Sequence, residues 1–251
     1  MILLVNDDGI DAPGLRALYH ALRAATNEAV LAVAPHVERS GQSQAITLDR
    51  GLAVTARHDR GFFGLAVDGT PADCTKLALT VLCPEAPRLV VSGINDGPNT
   101  GRSILYSGTL GAALEAAVEG HAALAVSREK GGGGFAEAAE FAAGWARRLL
   151  GRKEYRGQVV NLNLPSRPKA QWKDAVIAAH GRSGFDETYR ATRDAKDRIT
   201  WRIHGEWRIK EGDGRSDAAQ LTAGHPVLSL LRPDLNAPDK GLRRLLAAKE
   251  R

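Results

Sequence analysis

The chain has 251 residues, 43% of them hydrophobic and 25% charged, the balance of an ordinary globular protein. Its formal net charge of +5 is unevenly placed: residues 1–150 hold 13 basic and 16 acidic side chains, while residues 151–251 hold 21 and 13. Collagen-like, fibrous and wholly disordered classes are excluded, no run of about 18 apolar residues offers a membrane-spanning helix, and the opening MILLVNDDGI lacks the basic start of a secretory leader.

Taken in chain order, the first 165 residues alternate between two periods. Ile2–Val5 is a short apolar run, fit for a strand buried on both faces. Leu15, Leu18 and Leu22 then recur at helical spacing. Residues 29–33 form a second strand, stopped by Pro35, and a polar loop follows over 35–45. Residues 46–48 and Phe62–Val67 are shorter strand candidates. Thr70 and Pro71 suit the cap and first position of a helix whose apolar stripe is Cys74, Leu77, Val81 and Leu82. Residues 88–92 read as a buried strand, and a Gly-rich loop runs from Gly93 to Arg102. Leu110, Ala113, Leu114, Ala117 and Val118 repeat at helical spacing, and a strand follows over 122–126. Gly131–Gly134 is a loop. Phe135, Ala138, Ala142, Trp145 and Leu149 mark another helix, and Gln158–Leu164 is a strand ended by Pro165.

Alternating strands and helices indicate an α/β fold, a Rossmann-like three-layer αβα core with a mainly parallel sheet. Residues 1–165 read as that core and 166–251 as a C-terminal extension. In the extension, Ile199, Trp201 and Ile203 alternate, and Trp207 and Ile209 alternate after His204-Gly205, which reads as a β-hairpin turning at His204-Gly205. A lone hairpin is marginal in water, so its tryptophans call for a partner surface such as a second subunit. The basic excess of the last hundred residues reads as a nucleic-acid surface, an arm attracting phosphate-bearing substrates, or a solvated Arg-rich tail. Cys74 and Cys83 are too few for a disulfide framework and match no zinc ribbon; they read as reduced core residues of a cytoplasmic protein.

In sheets of this class ligands bind outside the carboxyl ends of the strands, which selects the loops that matter. Asn6-Asp7-Asp8-Gly9 leaves the first strand, and two adjacent carboxylates there need a cation or a raised pKa on one of them. The readings are a hard divalent ion, Mg²⁺ or Mn²⁺, held by oxygens, or a simple helix cap. Glu38-Arg39-Ser40-Gly41 follows the second strand, where Ser40 could ligate a metal or bond a phosphate, or be plain loop. Asp68–Asp73 is a capping sequence or a substrate-facing loop. Asn95 offers a neutral oxygen near the same edge, and beside two carboxylates it would leave a metal site with little net charge, still able to attract an anion. Ser107-Gly108-Thr109 opens a helix, where N–H groups, hydroxyls and the positive dipole end suit a phosphate. There is no Walker A loop, no G-x-G-x-x-G after the first strand and no G-x-S-x-G. None of the seven histidines lies inside these motifs; His36 comes nearest. The loops together point to metal-assisted attack on a phosphate.

VNDDGIDAPG (5–14), ERSG (38–41), GTPADC (69–74), VSGIN with GPN (91–99) and YSGT (106–109), with NLNLP (161–165) more weakly, resemble the SurE family of survival proteins in order and spacing over about 165 residues. The resemblance implies a Rossmann-like core, a C-terminal extension used in homodimer or homotetramer assembly, and a metal-dependent phosphomonoesterase acting on nucleoside 5'-monophosphates. Some members also hydrolyse 3'-nucleotides or short polyphosphate. It implies one divalent ion on Asp7, Asp8, Ser40 and Asn95, and a phosphate on Asn95, Ser107, Gly108 and Thr109, with Asp7 or Asp8 orienting or deprotonating the water. No membrane and no stable nucleic-acid partner are expected. Departures from the family pattern are Asp96 after Asn95, the Gly131–Gly134 run, and Ser216-Asp217 with Val227-Leu228-Ser229 near the end. The alternative is a non-catalytic nucleotide- or RNA-binding module using the basic C-terminal region.

Overall fold

The computed structural model describes residues 1–59, 61–131, 134–210, 212, 214–237 and 241. The core is a nine-stranded sheet, and β1 (Ile2–Val5), every residue of which is buried, lies in its interior. β1 pairs in parallel with β2 (Val30–Pro35) on one side and β5 (Leu89–Asp96) on the other. Beyond β2 lie β4 (Phe62–Val67), parallel, and β3 (Val54–Asp59), antiparallel at the edge. Beyond β5 lie β6 (Ala122–Arg128) and β7 (Gln158–Leu164), both parallel. The chain therefore leaves β1 toward one edge, returns, and continues toward the other, which puts the crevice between β1 and β5 at the point where the strand order reverses.

Side chains alternate faces along each strand, and the central apolar runs consequently feed two cores. Ile2 and Leu4 pack with α1 (Pro13–Ala25) and α4 (Ala136–Leu149). Leu3 and Val5 pack on the other face with residues of α2 (Pro71–Leu77) and α3 (Gly108–Val118). Both faces are covered, so the strands are apolar throughout rather than alternating.

The extension joins this sheet. β8 (Val176–Ile177) pairs in parallel with β11 (Val227–Leu231), which runs antiparallel to β7. Between them, α5 (Asp217–Thr222) brings the fully buried Asp217 carboxylate to the N–H groups of Gly101 (2.9 Å), Gly181 (3.1 Å) and Ala218 (2.8 Å). Burial pushes the Asp217 carboxyl up, and these N–H donors only partly offset it. Ser216-Asp217 thus ties the extension to the turn that leads into α3.

Several elements differ from the sequence reading. The hairpin is present as β9 (Gly184–Arg193) and β10 (Ile199–Arg208), but His204-Gly205 lies inside β10, opposite Thr188 and Glu187. The turn is at 194–198, where Asp194 accepts from the N–H groups of Lys196 (2.9 Å) and Arg198 (3.1 Å) and Asp197 takes a positive φ. Residues 46–48 form no strand; Thr47 is held instead by Asp73. β5 continues to Asp96 through a shift in register, so the Gly-rich loop starts at Gly97. A π-helical turn follows α2 over Ala78–Leu82 and turns Val81 outward, as Val118 is at the end of α3. Cys74 is buried, Cys83 half-buried, and both are free thiols. The Gly131–Gly134 loop lies partly outside the described residues. Among the described residues no helix is long and apolar enough to cross a membrane.

Candidate metal and phosphate site

The β1 loop is shaped by Asn6, whose side chain donates to the Gly9 carbonyl (2.9 Å) and accepts from the Gly9 N–H (3.2 Å). That closed turn presents Asp7 and Asp8 at the carboxyl end of the sheet. The Arg39 N–H donates to the Asp7 carbonyl (2.7 Å) and binds the loop after β2 to the loop after β1.

Asp7 is buried and faces the start of α3. Its carboxylate accepts from the hydroxyl and the backbone N–H of Thr109. Gly108 lies directly over it: a Cβ at 108 would stand 2.8 Å from the Asp7 Cβ and 3.0 Å from Oδ2, so a residue without a side chain is needed there. Burial pushes the Asp7 carboxyl up, and the Thr109 donors pull it back only in part. Asp8 is half-buried and accepts from the Asp96 N–H. Its carboxyl is pushed up to about 6, first by burial, then by the neighbouring Asp7, with Glu38 and Asp96 adding to the repulsion.

The remaining expected residues lie on the loop after β2, at the end of β5 and at the start of α3. The Ser40 hydroxyl is exposed and donates to Glu38 Oε1 (2.7 Å). Asn95 is half-buried and its amide donates to the Gly97 carbonyl (2.6 Å), which leaves Oδ1 available as a neutral donor atom. The Ser107 hydroxyl accepts from the Leu110 N–H (3.1 Å) as the cap of α3 and keeps its own proton to donate. The Gly108 N–H, first of the helix, has no intrahelical acceptor. His36 stands apart, with Nε2 3.2 Å from Arg57 Nη2.

Glu38, Asp96 and Arg128 also belong to this region; the sequence marked Asp96 as a departure after Asn95 and Glu38 as part of the loop after β2, but nothing in it singled out Arg128. Asp96 and Arg128 face each other across β5 and β6, and the guanidinium reaches Asp96 Oδ1 at 3.0 Å while stacking 4.1 Å over the Phe135 ring. Beneath the loop, Asn99 donates to Ser127 (2.8 Å) and its carbonyl accepts from Asn161 (2.9 Å) and Asn163 (3.1 Å). This gives the asparagines of NLNLP a structural task. Gly93 turns the strand here at φ +139°, where a Cβ would meet the Val126 carbonyl at 2.4 Å.

Two buried or half-buried carboxylates, repelled further by Glu38 and Asp96, form a negative site whose donors are all oxygens. That chemistry fits a hard divalent cation. Among the described residues no group of three His, Cys, Asp or Glu side chains is placed to hold a metal, so the site has two carboxylates and must be completed by neutral oxygens.

The family model described as survival protein SurE matches residues 2–187. The chain belongs to the SurE family. A 5'-nucleotidase SurE of Moorella thermoacetica is 40% identical over 238 residues, covering 94% of this chain and 91% of the relative. One from Syntrophus aciditrophicus is 37% identical, covering 98% and 93%. The crystal structure of a SurE protein from Aquifex aeolicus superposes with a TM-score of 0.81 at 28% identity, covering 98% and 99% of the two chains. The likeness thus takes in the β8–β11 extension as well as the parallel core.

Proposed function

We propose that this SurE protein is a divalent-metal-dependent 5'-nucleotidase, hydrolysing nucleoside 5'-monophosphates to nucleoside and phosphate. The observation that carries the reading is the paired, uncompensated carboxylates of Asp7 and Asp8 at the strand-order reversal, pressed against the N-terminus of α3. Asp7, Asp8, Ser40 and Asn95 would hold one Mg²⁺ or Mn²⁺. When bound, such an ion polarises a phosphoryl oxygen and makes a bound water more acidic.

The chain's own residues do the rest. Thr109 spends its hydroxyl on Asp7, so it fixes that carboxylate and aligns the helix start rather than meeting substrate with its side chain. The Gly108 N–H and the Ser107 hydroxyl proton remain to bind phosphoryl oxygens at the positive end of the helix. Asp8, the carboxylate with solvent access, orients the attacking water and accepts its proton. A DxD-type covalent aspartyl route lacks its second carboxylate, because position 9 is glycine.

The deciding experiment measures phosphate release from 5'- and 3'-mononucleotides and tripolyphosphate after EDTA and again with Mn²⁺ or Mg²⁺ restored, for wild type and Asp8→Asn. Metal-restored release lost in Asp8→Asn supports the proposal and ranks the substrates. No release from folded protein under either metal overturns it in favour of a non-catalytic nucleotide- or RNA-binding module. Several basic residues that module would use are already engaged: Arg193, Arg198 and Arg208 pair with Asp197, Asp194 and Asp186.

The same reading includes a homodimer or homotetramer built through the extension. Phe185, Tyr189, Ile199, Trp201 and Ile203 lie on one face of the β9–β10 hairpin, and all are exposed. Two strands alone do not sustain such a face in water. Trp201→Ser with Ile203→Ser should reduce the mass measured by light scattering to that of a monomer. An unchanged oligomer would remove the hairpin from the interface.

A further inference from the structure

At the end of the sheet opposite Asp7 and Asp8, a cleft of about 420 Å³ opens between the entries to β5 and β6 and the ends of α3 and α4. Three separate stretches of chain line it: 86–88, 119–122, and 151–153 with Arg156. The length of β5 separates it from the catalytic loops by on the order of 20 Å. Its charged lining is Arg88, Arg152, Lys153 and Arg156 against a single carboxylate, Glu119.

Helix dipoles account for little of this charge. Cations favour helix C-termini, which covers Arg152 just beyond α4. Lys153 opens a separate 3-10 turn, Arg156 follows that turn, and Arg88 stands at a strand entry. Local carboxylates do not neutralise the cleft either. Glu119 is bonded to Lys76 at 3.1 Å, and the Glu28 that pairs with Arg88 also holds the N-terminal ammonium at 2.8 Å. Arg152 pairs with Glu154 at 3.4 Å and donates to the Arg148 carbonyl at 3.4 Å, and no ion pair is formed by Lys153 or Arg156 among the described residues. Cations gathered in a concave, protein-walled space focus their field on whatever enters.

We propose that this cleft is a second anion site, which binds an oligophosphate: a nucleoside di- or triphosphate, or a short inorganic phosphate chain. The volume lies within the range of small-molecule sites. A single phosphate would reach only part of the lining, whereas a chain of two or three can meet guanidinium groups from both sides, the pairing in which Arg excels. The site binds anions directly, with no metal, and it stands whether or not the catalytic proposal holds.

The test is calorimetric titration of the full-length protein in EDTA, where the acidic catalytic loops repel phosphates, with tripolyphosphate in one arm and ATP in the other. Saturable one-site binding of tripolyphosphate is expected. Lys153→Glu with Arg156→Glu should weaken it by about tenfold or more. Arg147→Glu with Arg190→Glu, an equal charge change on residues outside the cleft, should leave it within about twofold of wild type. Hydrolysis by the metal-loaded Lys153→Glu, Arg156→Glu variant should match wild type and certifies its fold. ATP binding equal to or tighter than tripolyphosphate also supports the site. ATP binding without tripolyphosphate binding, lost in the cleft variant, would assign the site to a nucleoside triphosphate; absence of saturable binding of either, full retention in the cleft variant, or equal loss in the control variant would each overturn it.

Discussion

The two ends of the parallel sheet carry opposite charge and handle it differently. At the carboxyl end, Asp7 is buried against Thr109 and Asp8 is half-buried beside it, so repulsion is held in place by rigid hydrogen bonds. At the amino end, Arg88, Arg152, Lys153 and Arg156 border an open cleft, with solvent to screen them. Buried like charges cost free energy that a bound ion can return, and exposed ones cost little. The first end is therefore suited to a tightly held cation and the second to a reversible anion.

The sharpest way to break that contrast is at Asp8. Asp8→Asn should lower kcat/KM by about a thousandfold or more, since a carboxylate of the site is lost. The same substitution should raise the thermal midpoint of the EDTA-treated protein at pH 7.5, because it removes repulsion from Asp7. A fall in that midpoint would show that Asp8 is not strained. Gly108→Ala comes next: its methyl group would press on Asp7, with an expected destabilisation of about 1–3 kcal/mol and a loss of activity larger than the stability change explains. Wild-type activity in this variant would mean that the α3 N-terminus is not part of the site.

The pH dependence sharpens the comparison further. Asp8 holds its proton more tightly in the folded chain than in the unfolded one, where the ordinary value is 3.8 and the folded value about 6. The metal-free fold therefore gains from this group at low pH and loses that gain as pH rises from about 4 through about 6. Denaturation midpoints in EDTA should decline over that window, recover above it when Mn²⁺ is added, and decline less steeply in Asp8→Asn, where the raised Asp7 and Asp217 carboxyls remain. A midpoint that rises over the same window would contradict the assignment. The smallest effect is expected at Arg128. Arg128→Met keeps an apolar stem over Phe135 but frees the Asp96 carboxylate beside Asp8, which should raise KM by about fivefold. Adding Asp96→Asn should restore it, because the unpaired charge is then gone; no restoration would mean that Arg128 acts by another route.

Edge and interior strands explain what could be read without coordinates. β1 and β7 are legible because both faces are buried and the run of apolar residues needs no partner to be recognised. β3 is not, because it is an edge strand with mostly exposed side chains and exists through its ladder with β4. The hairpin turn escapes the sequence for a related reason. Alternation identifies a strand but not its end, and Gly205 imitates a turn inside β10. The better signal was Asp194 and Asp197, whose side chain and backbone suit a tight reversal.

The site divides along the same line. Adjacency placed Asp7 beside Asp8, and strand periodicity placed both, with Ser40, on loops at one end of the sheet; this much the amino-acid order determined by itself, since it depends on neighbours in the chain, whereas Asn95, read as a loop residue, lies at the end of the β5 ladder. Only the tertiary structure decided that the Thr109 hydroxyl belongs to Asp7, that Arg128 pairs with Asp96, and that residues from three distant stretches make one basic cleft. Those outcomes depend on how the helices and strand ends meet across long sequence separations, where packing and hydrogen-bond geometry choose among partners that local periodicity does not distinguish.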